Sequence, residues 1–315
     1  MNAEKKRKIN LDSFTTPLVL IVLIIVLSIM KPVFMTGNNL INIAQQVTVN
    51  AIVSIGMTLV ILTGGIDLSV GSVIGLAGII MGIMMKANIP VAIAMIAGLA
   101  IGLICGLLNG VLVTYGKLPP FIATLGVMNM ARAAALVISK GGNMSAFPAS
   151  FTWIGIGTVP GTAIPVQVIF MIILYAVTYY LLRYRATGRY IYAIGGNKEV
   201  TRLSGINIKK YEIVAYTLSG LTAAIASIVL TAKLNAAQPT AGQNYELDAV
   251  AAVVIGGTSL TGGVGNIWGS ILGAVIIGVI RNGLNLLNAS SYLQQGIIGL
   301  VIILAVLMDT MRKKS

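Results

Sequence analysis

Long apolar runs, separated by short polar or glycine-rich stretches, follow one another along almost the whole chain. Many approach the 17–25 residues that an α-helix needs to cross about 30 Å of hydrocarbon. The runs are continuous rather than alternating, which favours helices over the strands of a membrane β-barrel. Ten candidate segments result, at about 17–35, 40–63, 69–86, 90–114, 120–138, 166–182, 212–232, 247–260, 266–287 and 292–309.

Two of these segments are weak. The segment 120–138 carries Asn129 and Arg132, and 247–260 is short for a crossing. If both fail to cross, eight segments remain and both termini still lie on the same side. The sequence therefore predicts an all-α fold: a polytopic transmembrane helical bundle of about 8–10 segments, forming one membrane-spanning domain over 1–315.

Composition agrees with a lipid environment. Charged residues make up 9% of the chain and the mean hydropathy is +0.95, whereas soluble domains carry roughly 25% charged residues. The net charge of +13 is spread over short loops between apolar runs, so we expect no nucleic-acid partner. The chain has no histidine and a single cysteine, Cys105, which leaves no material for a disulfide, a zinc site or a Cys/His nucleophile. We predict no catalytic residue, no metal site and no cofactor.

Lysine and arginine in short loops predict the orientation, because they concentrate on the cytoplasmic side. With the N-terminus inside, four basic residues face outward: Lys31, Lys86, Lys140 and Lys233. Fifteen face the cytoplasm: Lys5, Lys6, Arg7, Lys8, Lys117, Arg183, Arg185, Arg189, Lys198, Arg202, Lys209, Lys210, Arg312, Lys313 and Lys314. Both termini and the loop 183–211 are therefore predicted to be cytoplasmic, in a bacterial inner membrane.

The loop 183–211 contains a predicted short helix. Asn197 suits its N-cap, Glu199 its first turn and Gly205 the position just after its end. Apolar and charged residues occupy different faces, Val200 with Leu203 and Glu199 with Arg202. A two-turn helix of this kind favours docking into a partner's groove, although a solvated connector would show the same pattern.

Two glycine-rich interruptions share the pattern G-G-x-x-L-[ST]-x-G, at 64–71 and 256–263. Paired interruptions of this kind mark transport pathways in transporters built from repeats. Two independent tight turns would give the same pattern, and the sequence leaves open whether a repeat would be parallel or inverted. The first motif contains Asp67, an acid between long apolar runs, which suggests either a functional group or, together with Ser69, a cap for the helix that follows.

Amide side chains form two stripes at helical spacing. One consists of Asn42, Gln45, Gln46 and Asn50, and the other of Asn282, Asn285 and Asn288 beside Arg281. Amides donate and accept hydrogen bonds without charge, which suits a neutral, hydroxyl-rich solute. Hydrogen bonds between helices are an equally good explanation. The candidate pathway or gating residues are Gln45, Gln46, Asn50, Asp67, Ser69, Asn282 and Asn285.

No G-x-x-x-x-G-K-[ST] phosphate loop occurs in the chain. The nearest approach, from Gly110 to Lys117, has the wrong spacing. If ATP drives a process in which this chain takes part, another subunit hydrolyses it.

Several motifs resemble the branched-chain amino acid and sugar permease family of ABC importers, and within it the permeases for ribose. They include Asn38-Asn39-Leu40, Gly65-Ile66-Asp67-Leu68-Ser69-Val70-Gly71-Ser72, Gly188-Arg189-Tyr190, Gly195-Gly196-Asn197, Ala237-Gln238-Pro239-Thr240-Ala241-Gly242, Tyr245-Glu246-Leu247-Asp248-Ala249 and Asn282-Gly283-Leu284-Asn285. The resemblance covers nearly the whole chain beyond the N-terminal tail. It implies import of ribose or a related monosaccharide by alternating access.

The resemblance also implies partners: a second copy of the chain, a cytoplasmic ABC ATPase subunit and an extracytoplasmic sugar-binding protein, all assembled in membrane lipid. It implies that the segment from Asn197 to Gly205 is the coupling helix, with Asn197, Glu199, Arg202, Leu203 and Gly205 as its key residues. A permease for another small solute of the family is one alternative. An ion-coupled secondary transporter is another, although such proteins usually carry intramembrane acids or histidines.

Overall fold

The computed structural model describes residues 12–312. The basic residues predicted inside at Lys5, Lys6, Arg7, Lys8, Lys313 and Lys314 lie outside the described residues, as does the side chain of Arg312. Residues 12–312 are mostly helical, and the all-α prediction is confirmed. The helices are α1 Asp12–Met30, α2 Gly37–Leu62, α3 Val70–Lys86, α4 Val91–Thr114, α5 Pro120–Ser139, α6 Ala149–Ile156, α7 Val166–Tyr184, α8 Ala186–Gly196, α9 Lys198–Leu203, α10 Ile208–Leu234, α11 Tyr245–Ile255, α12 Ile267–Leu286 and α13 Ser291–Arg312. Two short strands, β1 Met144–Ser145 and β2 Ala236–Ala237, pair antiparallel.

The two weak segments form helices of different length. Within the described range six helices are long and apolar enough to cross a membrane: α2, α4, α5, α7, α10 and α12. The apolar parts of α1, α3 and α13 are shorter. The weak segment 120–138 is a full membrane-length helix, α5, of 20 residues. The other, 247–260, is not: α11 has 11 residues, about 17 Å, and Gly256 and Gly257 follow it.

The chain between α10 and α11 enters the bundle as a non-helical segment beside α3. It starts where β2 pairs with β1, and there Ala237 lies close to Gly82 of α3. Further along, Gly242 contacts Gly71 of α3 so closely that a Cβ atom on Gly71 would overlap the Gly242 carbonyl. Eleven residues of α3 separate these two contacts, a distance of about 17 Å. The segment 236–244 and α11 together therefore pass from one end of the bundle to the other, which neither does alone. We call 236–244 the re-entrant segment.

One end of the bundle gathers three loops. The Gly263 amide donates to the Leu62 carbonyl at 3.0 Å, which joins the turn after α11 to the end of α2. The Tyr192 hydroxyl of α8 donates to the Gly265 carbonyl at 3.0 Å, which joins α8 to the same turn. Because seven of the 21 lysine and arginine residues lie between Arg183 and Lys210, on and around α8 and α9, we call this the basic end, and the end with β1, β2 and α6 the opposite end.

Both glycine-rich motifs lie at the basic end, since Gly64 approaches the Thr261 carbonyl there. Both connect a helix that arrives at this end with a helix that leaves it, so the two hairpins are parallel rather than inverted. The N-terminal part of α1 is also at this end, because the Thr16 hydroxyl donates to the Ile255 carbonyl at 2.9 Å. Helix α13 starts at the opposite end, and its 22 residues, about 33 Å, are long enough to return.

Small residues allow the closest helix packing. Glycines recur along one face of α4, and at Gly102 a Cβ atom would overlap the carbonyl of Gly220 in α10. Such glycines let helix backbones approach each other closely. Close packing matters in a membrane because lipid is as apolar as the side chains, so burying those side chains between helices gives little hydrophobic stabilisation. The pair α4 and α10 makes the most extensive helix–helix contact among the described residues, and α10 also packs against α2.

The cytoplasmic location of the basic end stays a prediction, and cysteine labelling tests it. We expect Lys198→Cys in a Cys105→Ser background to resist membrane-impermeant thiol reagents added to whole cells. The matched control is Lys86→Cys, at the opposite end of α3, which we expect to react. Reaction of the first variant together with protection of the second would reverse the orientation.

Candidate functional site

A polar cavity of about 320 Å³ opens among α2, α11 and α12. Its wall is completed by the end of α10, the re-entrant segment and the start of α13. The polar lining residues are Gln45, Gln46, Asn50, Lys233, Gln243, Asp248, Arg281, Asn285 and Gln294. Helix α2 is 26 residues long and Asn50 lies near its middle, whereas Asn285 and Lys233 lie close to helix ends at the opposite end. The cavity therefore extends from the opposite end towards the middle of the bundle.

Asn50 is the most unusual residue of this wall. Its side chain is 5% exposed, and neither its amide nitrogen nor its amide oxygen has a hydrogen-bond partner among the described residues. An unsatisfied buried polar group costs about 1–3 kcal/mol, so native proteins carry few of them. Both unsatisfied atoms of this amide belong to a residue that lines the cavity.

An ion pair forms another part of the wall. The Arg281 Nη2 atom of α12 donates to both carboxylate oxygens of Asp248 in α11, at 2.9 and 2.7 Å. The Arg281 Nε atom is buried without a partner. The pair is neutral as a unit and presents donors and acceptors side by side. Sequence reasoning left both residues out of the site, although ionisable residues inside apolar segments were a usable signal.

The remaining predicted pathway residues do not all reach the cavity. Gln45, Gln46 and Asn50 line it together with Asn285, whose Oδ1 accepts from Gln294 at 2.7 Å. Asn282 is buried elsewhere, in a reciprocal amide pair with Asn39 at 2.9 and 3.0 Å. That pair joins α2 to α12, and it matches the alternative explanation of these stripes as hydrogen bonds between helices.

Asp67 and Ser69 lie in a separate buried network. One carboxylate oxygen of Asp67 accepts from the Ser69 amide at 3.0 Å, the Ser69 hydroxyl at 2.6 Å and the Asn109 amide at 3.2 Å. The other accepts from the Ser219 hydroxyl at 2.8 Å. The carboxylate thus ties the start of α3 to α4 and α10. Asn109 and Ser219 were missed because they lie 42 and 152 residues away in the sequence.

The predicted short helix is present as α9. The Asn197 side chain accepts from the Val200 amide at 3.0 Å, so the predicted N-cap is confirmed, and Gly205, with φ of +79°, lies just beyond the helix. The exposed Glu199 and Arg202 form an ion pair, whose hydrogen bond holds the pKa of Glu199 below its usual value. Val200 and Leu203 are 59% and 73% exposed. The helix therefore presents apolar side chains at the basic end.

The described part of the chain contains no group of three histidine, cysteine, aspartate or glutamate side chains placed to bind a metal ion. The structure instead provides two separable elements: a hydrogen-bonding cavity inside the bundle, and at the basic end the exposed helix α9, which presents both apolar and charged side chains.

Comparison with known proteins identifies a family. A sequence profile of the branched-chain amino acid transport system / permease component family matches residues 39–306. The chain is 47% identical over 298 residues to the ribose import permease protein of Escherichia coli (strain K12), covering 93% of this chain and 92% of that protein. It is 46% identical over 296 residues to the ribose import permease protein of Bacillus subtilis (strain 168), with coverages of 94% and 91%. Identity to the D-allose transport system permease protein of Escherichia coli (strain K12) is 38% over 305 residues, with coverages of 96% and 93%. No solved structure gives a significant match.

Substitution of Asp67 tests whether its network is structural. Asp67→Asn keeps an oxygen acceptor for Ser69, so we expect its yield and melting temperature in detergent to stay near those of the native protein. Asp67→Leu leaves the donors of Ser69 and Ser219 without this acceptor, at about 1–3 kcal/mol for each buried group, while Asn109 keeps its bond to the Ser69 hydroxyl, and the yield of the variant should fall sharply. Equal stability of the two variants would contradict the structural role. Loss of transport in a well-folded Asp67→Asn would assign the carboxylate a role in transport as well.

Proposed function

The chain belongs to the family of permease components of branched-chain amino acid transport systems, and we propose that it imports ribose or a related monosaccharide with energy from ATP. Members of this family are transport subunits and not enzymes. The chain is a multi-pass protein of the bacterial inner membrane, consistent with the six membrane-length helices among residues 12–312. The relatives named for ribose import match nearly the whole chain, which supports ribose over other solutes.

One structural observation carries the transport proposal: a polar cavity reaches the middle of a bundle of largely apolar helices. Polar groups at membrane depth are expensive, and they concentrate where a solute or ion passes. The amide-rich lining suits a neutral polyol, whose hydroxyls both donate and accept hydrogen bonds. We therefore assign the cavity to the outward-facing part of the translocation route.

The energy source in this proposal is a separate ABC ATPase subunit that docks at the basic end. The sequence contains no phosphate loop, and α9 presents Val200 and Leu203 to solvent. Two exposed apolar side chains on a capped helix favour insertion into a partner's groove. Helix α9 is joined directly to α8, which contacts the turn between α11 and α12, so a partner at α9 has a short physical route to the cavity.

The proposal includes further partners, which membership of the family supports in general terms. An extracytoplasmic sugar-binding protein would deliver the solute at the opposite end, where the cavity opens. A second copy of the chain would complete the membrane unit, and lipid would cover the exposed apolar helix surfaces. Alternating access then requires the opposite end to close as the basic end opens, driven by ATPase subunits that act through α9.

Substitutions on α9 test the docking proposal. An exposed ion pair contributes little to binding, whereas exposed apolar side chains are suited to fill a partner's groove. We therefore expect Val200→Ser/Leu203→Ser to weaken ATPase docking by about 1–3 kcal/mol, and Glu199→Ala/Arg202→Ala to weaken it less. The measurement is recovery of the ATPase subunit with the tagged permease, together with sugar-stimulated ATP hydrolysis.

The matched control for the α9 variants is Leu118→Ser, an exposed apolar residue in the turn between α4 and α5. We expect this variant to retain the ATPase subunit. Normal stimulation after replacement of residues 197–205 by a flexible linker would overturn the assignment of α9.

Competition for uptake tests the solute. The complex that copurifies with this chain from native membranes is reconstituted into vesicles, with its binding protein outside and ATP inside. We expect uptake of labelled ribose that unlabelled ribose suppresses at the lowest concentration, that allose suppresses less effectively, and that leucine does not suppress. Suppression by leucine alone would point to an amino acid as the solute.

A further inference from the structure

We propose that Asn50, Asp248 and Arg281 form a hydroxyl-binding subsite, at which one monosaccharide makes direct hydrogen bonds to a single permease chain during its passage. The inference rests on the proposed function and names the residues that contact the sugar. A pathway with such a subsite differs from a channel that interacts only weakly with its solute, because the subsite holds the solute at a defined position on α2, α11 and α12.

Unsatisfied polar atoms are the first observation. The Asn50 amide lacks partners for both its nitrogen and its oxygen, and Arg281 lacks one for Nε. All three atoms belong to residues of the same cavity wall. A buried donor or acceptor without a partner is destabilising, and a bound ligand that supplies the missing partners explains why such groups persist.

The ion pair is the second observation. The recorded bonds from Arg281 to Asp248 use Nη2 alone, so the guanidinium retains donors and the carboxylate retains acceptor capacity. Adjacent hydroxyls of a sugar each donate and accept one hydrogen bond, which matches a guanidinium beside a carboxylate. Because the pair has no net charge, a solute that carries a charge gains attraction from one partner and repulsion from the other. The chemistry of this pair therefore favours neutral, hydroxyl-bearing solutes.

The position of the subsite gives it a route to the ATPase. Asn50 lies on α2, Asp248 on α11 and Arg281 on α12. At the basic end the Leu62 carbonyl of α2 accepts from Gly263, in the turn that joins α11 to α12. Gly195 of α8 lies against the same two groups, where a Cβ atom would overlap the Leu62 carbonyl. A displacement of α8 therefore acts on all three helices that carry the subsite.

Removal of the Asn50 amide distinguishes a binding role from a structural one. Asn50→Leu deletes two unsatisfied polar atoms, so the melting temperature in detergent should stay the same or rise. Ribose uptake by the reconstituted complex should fall about tenfold or more, which corresponds to the loss of one hydrogen bond of about 1.4 kcal/mol. The matched control is Asn129→Leu, an exposed amide on α5, which should alter none of these quantities.

Direct binding is measured in the same complex without transport. A single cysteine is placed at Leu234, an exposed residue of the cavity wall, in a Cys105→Ser background. Ribose should slow its reaction with a small maleimide, whereas leucine should not. The protection should be lost in Asn50→Leu, and also in the double variant Asp248→Asn/Arg281→Gln, which leaves no unpaired charge.

Two outcomes would overturn the subsite. One is uptake by Asn50→Leu at the native rate, and the other is a fall of its melting temperature together with uptake, which assigns Asn50 to the scaffold. Either result leaves ribose transport by the native complex intact. Failure of the native complex to take up ribose would instead overturn the proposed function.

Discussion

A single constraint governs this structure: in lipid, every backbone hydrogen-bonding group must be satisfied inside the protein. The re-entrant segment 236–244 leaves helical geometry at membrane depth and meets that constraint through other elements. The Arg132 guanidinium of α5 donates to the carbonyls of Pro239 and Ala241, and Gly71 of α3 lets the segment pass closely. Because the segment uses part of the crossing, α11 is short, and the cavity wall contains the first turn of α11, where Asp248 lies.

Much of the fold follows from local pattern. Continuous apolar runs predicted the helices, and Asn197 and Gly205 predicted the ends of α9, because capping depends on neighbours within a few residues. The same local reasoning makes 120–138 a weak candidate for a membrane-spanning helix, because burying the charge of Arg132 in lipid is costly. The structure shows why α5 tolerates Arg132: its guanidinium donates hydrogen bonds to carbonyls more than a hundred residues away in the sequence. The sequence does not reveal such a partner, so the re-entrant path of 236–244 was not predicted.

The candidate site, like the fold, is predictable from the sequence only in part. Helical spacing placed Gln45, Gln46 and Asn50 on one face, and these residues do share the cavity. Spacing could not tell that Asn282 faces Asn39 while Asn285 faces the cavity, because the neighbouring helix decides which side of α12 is enclosed. The pairing of Asp248 with Arg281 depends on the packing of α11 against α12, and their separation of 33 residues has no periodic signature.

We propose that the permease is powered by another subunit through α9, rather than by an ion gradient. The most direct test uses vesicles that contain this chain with and without its copurified ATPase, and with the binding protein supplied outside. Labelled ribose is offered in the presence of internal ATP, or of an imposed proton or sodium gradient without ATP. We expect accumulation only when ATPase and ATP are both present. Accumulation driven by a gradient in vesicles that lack the ATPase would contradict this proposal.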